Sequence, residues 1–113
     1  MFKATTMRTN KKLILTELDA LLRSRLSGNL KEVVLFGSRI NGNNRDDSDY
    51  DILIVLKDKV DWREEREISD LCYEVDLKYN IITDTHIISE AEFSTLRGKQ
   101  PVFTNALEKG FRA

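Results

Sequence analysis

The feature that most constrains the fold is a run of five apolar residues, Ile52 to Leu56, which follows two aspartates, Asp49 and Asp51. A continuous apolar run of this length is typical of a buried strand, whereas alternation is typical of a strand with one wet face. The run is too short to cross a membrane, which takes about 20 apolar residues. The sequence therefore predicts a sheet whose central part is covered by helices.

The remaining elements are predicted from apolar spacing and from capping residues. Asp61 and Glu64 form a capping-box signature at the start of one helix, and Ser89 and Glu92 form another. In chain order we predict a helix over 10–27, strands over 31–36 and 49–57, a helix over 62–80, a strand over 81–88, a short helix over 89–98 and a last helix from Pro101 to Gly110.

This order predicts a small α/β or α+β domain with a mixed sheet of at least three strands. At 113 residues the chain has room for one core. We expect residues 1–9 to be a flexible arm and residues 10–113 to form the domain.

Composition excludes several classes of protein. The 18 basic and 19 acidic residues nearly cancel, which argues against bulk electrostatic binding of nucleic acid. Cys72 is the only cysteine, so a disulfide framework and a cysteine-based zinc site are excluded, and its place on the apolar helix stripe predicts a core residue. Because no signal-peptide segment or membrane span is present, we expect a cytoplasmic protein.

Two carboxylates open the central strand on one face. Asp49 and Asp51 are two residues apart, so in a strand their side chains point the same way, roughly 7 Å apart along the backbone. Carboxylate oxygens in such a pair suit Mg²⁺ or Mn²⁺. Phosphoryl-transfer sites use such ions to neutralise the charge on the transferring phosphorus and the leaving group.

A Gly-Ser turn precedes this pair. Gly37 and Ser38 directly follow the strand over 31–36. Glycine lets the backbone approach a ligand closely, exposed N–H groups can face phosphate oxygens, and the serine hydroxyl adds a donor. A cation on one side and amides on the other predict a site that grips a triphosphate.

These residues admit other interpretations. Without the Gly-Ser turn, Asp49 and Asp51 would be ordinary turn residues. An EF-hand loop is excluded because Ile52 stands where that loop requires glycine. Arg39 is a candidate phosphate contact, and pairing with Asp46 or Asp47 is its alternative.

The segment Gly37-Ser38-Arg39, the polar loop to Ser48, and Asp49-Tyr50-Asp51-Ile52-Leu53 together resemble the signature of the DNA polymerase beta superfamily of nucleotidyltransferases. The resemblance is greatest to the minimal, MNT-type members and covers about residues 10–110. It implies the nucleotidyltransferase fold, with Gly37, Ser38 and Arg39 at the nucleotide and Asp49 and Asp51 as metal ligands.

The resemblance also implies a third carboxylate on a later strand. Asp84 lies within the predicted strand over 81–88, whereas Asp76 continues a helical stripe, so we choose Asp84 as the third catalytic and metal-binding residue. His86 shares strand parity with Asp84 and so is a candidate neighbour of the site. We expect it instead to be a histidine satisfied within the sheet.

By resemblance, the function is magnesium-dependent transfer of a nucleoside monophosphate, AMP from ATP, to a hydroxyl acceptor, with Mn²⁺ as a possible substitute ion. The chain has no room for the helical domain of larger relatives, so we expect the acceptor on a partner protein. A helical HEPN-type toxin fits, with this chain as its antitoxin, and a homodimer is the other assembly considered. The alternative is a non-catalytic module that neutralises its partner by contact; an antibiotic-modifying transferase is disfavoured.

Overall fold

The computed structural model describes residues 11–37, 50–95 and 98–112 of the chain. It contains three α-helices and four strands in these residues, with one short 3-10 turn. In chain order they are α1 (Lys11–Leu26), β1 (Leu30–Phe36), β2 (Tyr50–Leu56), α2 (Trp62–Tyr79), β3 (Thr83–Ser89), the 3-10 turn Glu90–Glu92, α3 (Pro101–Lys109) and β4 (Phe111–Arg112).

The four strands form one mixed sheet in the order β3-β2-β1-β4. β2 pairs parallel with β3 and antiparallel with β1, and β4 extends the antiparallel part at the edge of β1. Because parallel neighbours require a crossover, α2 connects β2 to β3 across one face of the sheet. The first residues of β2 and β3 therefore lie side by side at one end of the sheet.

Helix α2 begins and ends with residues suited to those positions. Asp61 accepts from the Glu64 N–H at 2.9 Å, and Glu64 returns a bond to the Asp61 N–H, as the capping box predicts. The helix ends at Asn80, which adopts the left-handed conformation with φ of 55°. The buried side of α2 carries Ile68, Leu71, Cys72, Val75 and Tyr79.

Two hydrophobic clusters lie on opposite faces of the sheet. Ile52 and Ile54 of β2 join α1 and α2 in the larger cluster, while Leu53 and Val55 join Phe103 and other residues of α3 in the smaller one. All four β2 side chains have no exposed surface. The prediction that 52–56 is a buried strand covered by helices is confirmed.

The fold class and most of the elements agree with the sequence predictions. In the described residues the predicted short helix over 89–98 is limited to a 3-10 turn, because the Phe93 and Thr95 N–H groups donate to the carbonyls three residues back, those of Glu90 and Glu92. The predicted Ser89–Glu92 capping box is present, with the Ser89 N–H donating to Glu92 Oε1 at 3.0 Å. Strand β4 was not predicted. The predicted arm over 1–9 lies outside the described residues.

Within the ranges that the structure describes, no helix combines the length and apolar character needed to cross a membrane.

Candidate active site

Asp51 and Asp84 lie side by side on neighbouring strands. They are register partners in the parallel β2–β3 pair, each one residue beyond the first paired residue of its strand. Alternation along β2 places Asp51 on the face of Leu53 and Val55, which is the face covered by α3. Both carboxylates therefore lie on one face at the amino ends of the two parallel strands.

His86 joins these two carboxylates. One ligand atom each from Asp51, Asp84 and His86 lies within 4.8 Å of the other two. His86 Nε2 is 3.6 Å from Asp84 Oδ2, and the Asp84 side chain is 55% exposed while that of His86 is 30% exposed. Asp51 is half-buried. The cluster of Asp51, Asp84 and His86 is thus partly exposed to solvent at Asp84 and partly buried at Asp51 and His86.

The His86 ring is held by aromatic neighbours from two other elements. Its centroid is 5.7 Å from that of Phe36 at the end of β1, and 6.5 Å from that of Phe103 in α3, edge to face. Aromatic contacts of this geometry are favourable and restrict the ring's orientation. The sequence signal for a place beside Asp84 is the two-residue spacing, because side chains two residues apart in a strand lie on the same face.

Gly37 lies against the Asp51 carboxylate. It directly follows Phe36, which is the register partner of Asp51 in the β1–β2 pair. Its φ is +83°, and a Cβ built there would lie 2.2 Å from Asp51 Oδ2. A side chain at position 37 would therefore occupy the space of the carboxylate itself, so the glycine is needed both for the turn and for the site.

Two neighbouring carboxylates repel each other unless a positive charge lies between them. A divalent cation with oxygen ligands relieves that repulsion, and both Mg²⁺ and Mn²⁺ accept carboxylates in open, partly hydrated sites. The donor set of Asp51, Asp84 and the nearby His86 nitrogen fits such an ion. The arrangement can therefore place a cation where a phosphate from solvent can reach it.

The structure describes only some of the other predicted site residues. Ser38, Arg39 and Asp49 lie outside the described residues, so their positions stay predictions. Asp76, the rival of Asp84, lies near the end of α2, where its Oδ1 is buried without a hydrogen-bond partner in the described part of the chain. Of the two candidates for the third carboxylate, Asp84 is the one that lies beside Asp51.

A separate cavity of about 400 Å³ lies at the other end of the sheet. It is bounded by the last residues of β2 and β3 and by the segments that follow them, including Leu56, Lys59, Ser89 and Glu92. Because β2 and β3 are parallel, this cavity and the Asp51–Asp84 pair lie at opposite ends of the same strands. The cavity is therefore not a part of the candidate active site.

Comparison with known proteins points to one family. The family model described as "Polymerase beta, Nucleotidyltransferase" matches residues 17–104. The chain is 34% identical over 89 residues to the Methanocaldococcus jannaschii protein named "Putative protein adenylyltransferase MJ0604", covering 79% of this chain and 83% of that protein. No solved structure matches the chain.

A second M. jannaschii protein, named "Putative protein adenylyltransferase MJ0141", is 35% identical over 57 residues. That match covers 50% of this chain and 58% of the relative. The family match spans Gly37, Asp51, Asp84 and His86, so the whole described cluster lies within it.

Proposed function

The chain belongs to the polymerase beta nucleotidyltransferase family and is a nucleotidyltransferase, and from that premise we propose that it transfers AMP from ATP, with Mg²⁺, to a hydroxyl group of a partner protein. The observation that carries the proposal is the pairing of Asp51 with Asp84 at the open end of two parallel strands. We place the protein in the cytoplasm, where ATP is available to it.

The proposed reaction is one displacement at the α-phosphorus of ATP. The acceptor oxygen forms a bond to that phosphorus, the bond from the α-phosphorus to the oxygen bridging to the β-phosphorus breaks, and pyrophosphate leaves with the bonding electron pair. The hydroxyl proton passes to the Asp84 carboxylate, which is 55% exposed and so within reach of an acceptor from solvent. A divalent cation at this site would neutralise the developing charge on the phosphates.

We assign the binding roles to the carboxylates and to the turn after β1. Asp51 and Asp84, together with Asp49 by the two-residue spacing, hold the divalent cation. Mn²⁺ is the expected substitute for Mg²⁺. Gly37 supports Asp51 from β1, while Ser38 and Arg39 contact the triphosphate through backbone amides, hydroxyl and guanidinium.

The acceptor is proposed to lie on another polypeptide. The names of both M. jannaschii relatives specify protein adenylyltransferases, which supports a protein acceptor here. A helical toxin of the HEPN type fits this role, with the present chain as the antitoxin of the pair. A homodimer, in which one copy modifies the other, is the second assembly that an experiment should include.

The proposal is tested by incubating the chain with ATP labelled at the α-phosphate, Mg²⁺ and the product of the adjacent gene. We expect label on the partner protein with wild type, and loss of nearly all label with Asp51→Asn or Asp84→Asn. Matched samples with ATP labelled at the γ-phosphate should leave the protein unlabelled, because the γ-phosphate departs in pyrophosphate.

A different outcome would contradict the proposal. If the wild type transfers no label, and if the Asp51→Asn variant still neutralises the partner as well as the wild type does, the chain acts by contact alone. If γ-labelled ATP labels the partner and α-labelled ATP does not, the reaction is a phosphoryl transfer from the γ-position, with ADP as the leaving group. Label on the chain itself in the absence of any partner would favour the homodimer.

A further inference from the structure

We infer that His86 is a third ligand of the cation held by Asp51 and Asp84, and that its imidazole makes this site bind first-row transition ions such as Mn²⁺ in preference to Mg²⁺. The inference rests on the proposed function in taking the two carboxylates as the cation site. It adds a nitrogen ligand to that site and predicts which ion the site binds more tightly.

The three side chains lie close enough to meet around one ion after small rotations of the side chains. His86 Nε2 and Asp84 Oδ2 are 3.6 Å apart, and all three ligand atoms lie within 4.8 Å of one another. A separation of 3.6 Å is too long for a hydrogen bond. Ligand atoms that sit about 2.1 Å from a common ion are about 3 to 4 Å apart, depending on the angle between them.

Packing also restricts the His86 imidazole to a position beside the two carboxylates. Phe36 packs against one side of the ring and Phe103 meets it edge to face, while 30% of the side chain stays exposed. A metal ligand held by packing binds more tightly than a mobile one, because little side-chain freedom is lost when the ion binds. The two phenylalanines thus act as the support of the ring, and Nε2 remains near the carboxylates.

The ligand chemistry then decides the ion. Imidazole nitrogen suits first-row transition metals, whose affinity for mixed nitrogen and oxygen sites rises along the row from manganese. Mg²⁺ keeps oxygen ligands and retains several waters, so a nitrogen ligand adds little to its binding. A site of two carboxylates and one imidazole therefore favours the transition ion, while the carboxylates alone would accept either.

The obvious alternative is that His86 serves only as a packing residue. In that case His86→Phe, which keeps an aromatic ring between Phe36 and Phe103, would leave metal binding unchanged. Thr85→Val is a matched control, because Thr85 lies on the same strand and alternation points it to the opposite face of the sheet. Thermal unfolding followed by circular dichroism checks that each variant is folded.

The test measures binding of Mn²⁺ alone to the full chain, from the electron paramagnetic resonance signal of the free ion, with Mg²⁺ as competitor. We expect the wild type and Thr85→Val to bind Mn²⁺ at least about tenfold more tightly than Mg²⁺. His86→Phe should lose about tenfold or more in Mn²⁺ affinity. Its Mg²⁺ affinity should change much less.

A pulsed resonance experiment on the Mn²⁺-loaded wild type gives a readout that needs no variant. Coupling to an imidazole nitrogen is expected, and its absence would overturn the inference. Equal Mn²⁺ affinity in wild type and His86→Phe, with weaker binding by Asp84→Asn, would refute the histidine ligand and leave the carboxylate site intact. Affinity that no substitution at 51, 84 or 86 alters would remove the cation site of the proposed function as well.

Discussion

At Gly37 two independent constraints meet in one residue. The backbone has a φ of +83°, and the space where a Cβ would stand belongs to Asp51 Oδ2, at 2.2 Å. The sequence predicted a glycine that lets the backbone approach a ligand. It could not show the contact with Asp51, because that contact depends on the register of Phe36 with Asp51 across two strands.

Replacement of Gly37 by alanine is expected to damage the site more than the fold. The positive φ alone should cost about 1 to 2 kcal/mol of stability. The methyl group should also displace the Asp51 carboxylate, and a displacement of about 1 Å in a phosphoryl-transfer site can cost about a hundredfold in rate. Nucleotidyl transfer and urea unfolding, measured on the same sample, separate the two effects.

Gly28 provides the matched control for this substitution. Its φ is +91°, but a Cβ there would meet nothing within 4 Å. Gly28→Ala should therefore lose a similar amount of stability and keep its activity. Equal losses of activity in both variants would show that Gly37 acts through the backbone alone and not through Asp51.

Cys72 illustrates a residue whose role composition and spacing predicted fully. It lies on the buried side of α2 with 3% of its surface exposed, and burial, reinforced by the charge of Asp76, raises the pKa of its thiol to about 12. The thiolate is the reactive form, so at about pH 8 the folded protein should not react with an aromatic disulfide reagent. Reaction of the native protein at the rate of a free thiol would contradict this burial.

His86 shows where residue-level prediction from sequence ends. Strand parity placed it on the face of Asp84, yet the expectation was a histidine satisfied within the sheet. Its actual surroundings come from Phe36 in β1 and Phe103 in α3, which lie 50 and 17 residues away in the sequence. A single sequence contains no signal for which aromatic residues will enclose a given ring.

At the scale of elements, a polar contact joins the middle of α1 to the end of α2. Lys78 Nζ donates to Glu17 Oε2 at 2.8 Å, and the Tyr79 hydroxyl donates to Glu17 Oε1 at 2.5 Å. The hydrogen bond from Lys78, and to a smaller extent the one from Tyr79, hold the pKa of the Glu17 carboxyl below its ordinary value of 4.5. The contact thus favours the charged carboxylate in the folded state.

Glu17→Gln is expected to lower the free energy of unfolding at pH 7 by about 0.5 to 1 kcal/mol, since the contact is partly exposed. Because the folded-state pKa is lowered, this stabilisation is present above the ordinary value of 4.5 and is lost as the pH falls through the folded-state pKa. Urea unfolding of both proteins between about pH 7 and pH 3 should show the difference shrinking with acid.

Asp19→Asn is the control for that comparison. Asp19 pairs with Arg23 within α1, four residues away, so its loss does not uncouple the two helices. Such a pair on one helix contributes only about 0.3 to 0.5 kcal/mol. A stability difference for Glu17→Gln that stays constant down to about pH 3 would contradict the assignment of the effect to the Glu17 carboxylate.

The elements themselves were predictable where a long periodic pattern and a cap coincide. The bounds of α1, β2 and α2 agree with prediction because apolar spacing and the Asp61–Glu64 box act over short distances. β4 has two residues and no period. It pairs with β1, and the Arg112 side chain donates to Glu32 at 2.8 Å and to the Leu107 carbonyl at 2.7 Å. Contacts between residues 80 positions apart leave no local pattern to find.

At the scale of the whole molecule, the two faces of the sheet are covered unequally. In the described part of the chain, α1 and α2 pack on one face, while the nine-residue α3 packs on the other, which carries Asp51, Asp84 and His86. Among the described residues, α3 does not cover the Asp84 side chain at the amino end of β3, which is 55% exposed. This open end is where the proposed function requires room for a triphosphate and for an acceptor from another protein.

The family could be predicted from the sequence because its motif lies in one stretch of chain, and the family comparison confirms it. The acceptor could not, because acceptor recognition depends on a surface of the partner. A third carboxylate on a later strand was implied only by the family resemblance. The register of Asp84 with Asp51 depends on the parallel pairing of β2 with β3, which the sequence did not predict.

The affinity for ATP, measured by equilibrium dialysis with Mg²⁺ and again with a chelator, tests the central claim most directly. If Asp51 and Asp84 hold a cation that grips the triphosphate, the wild type should bind ATP at least about tenfold more tightly with the ion present. Asp51→Asn and Asp84→Asn should lose most of that gain. An ATP affinity that is the same with Mg²⁺ and with chelator would contradict the account.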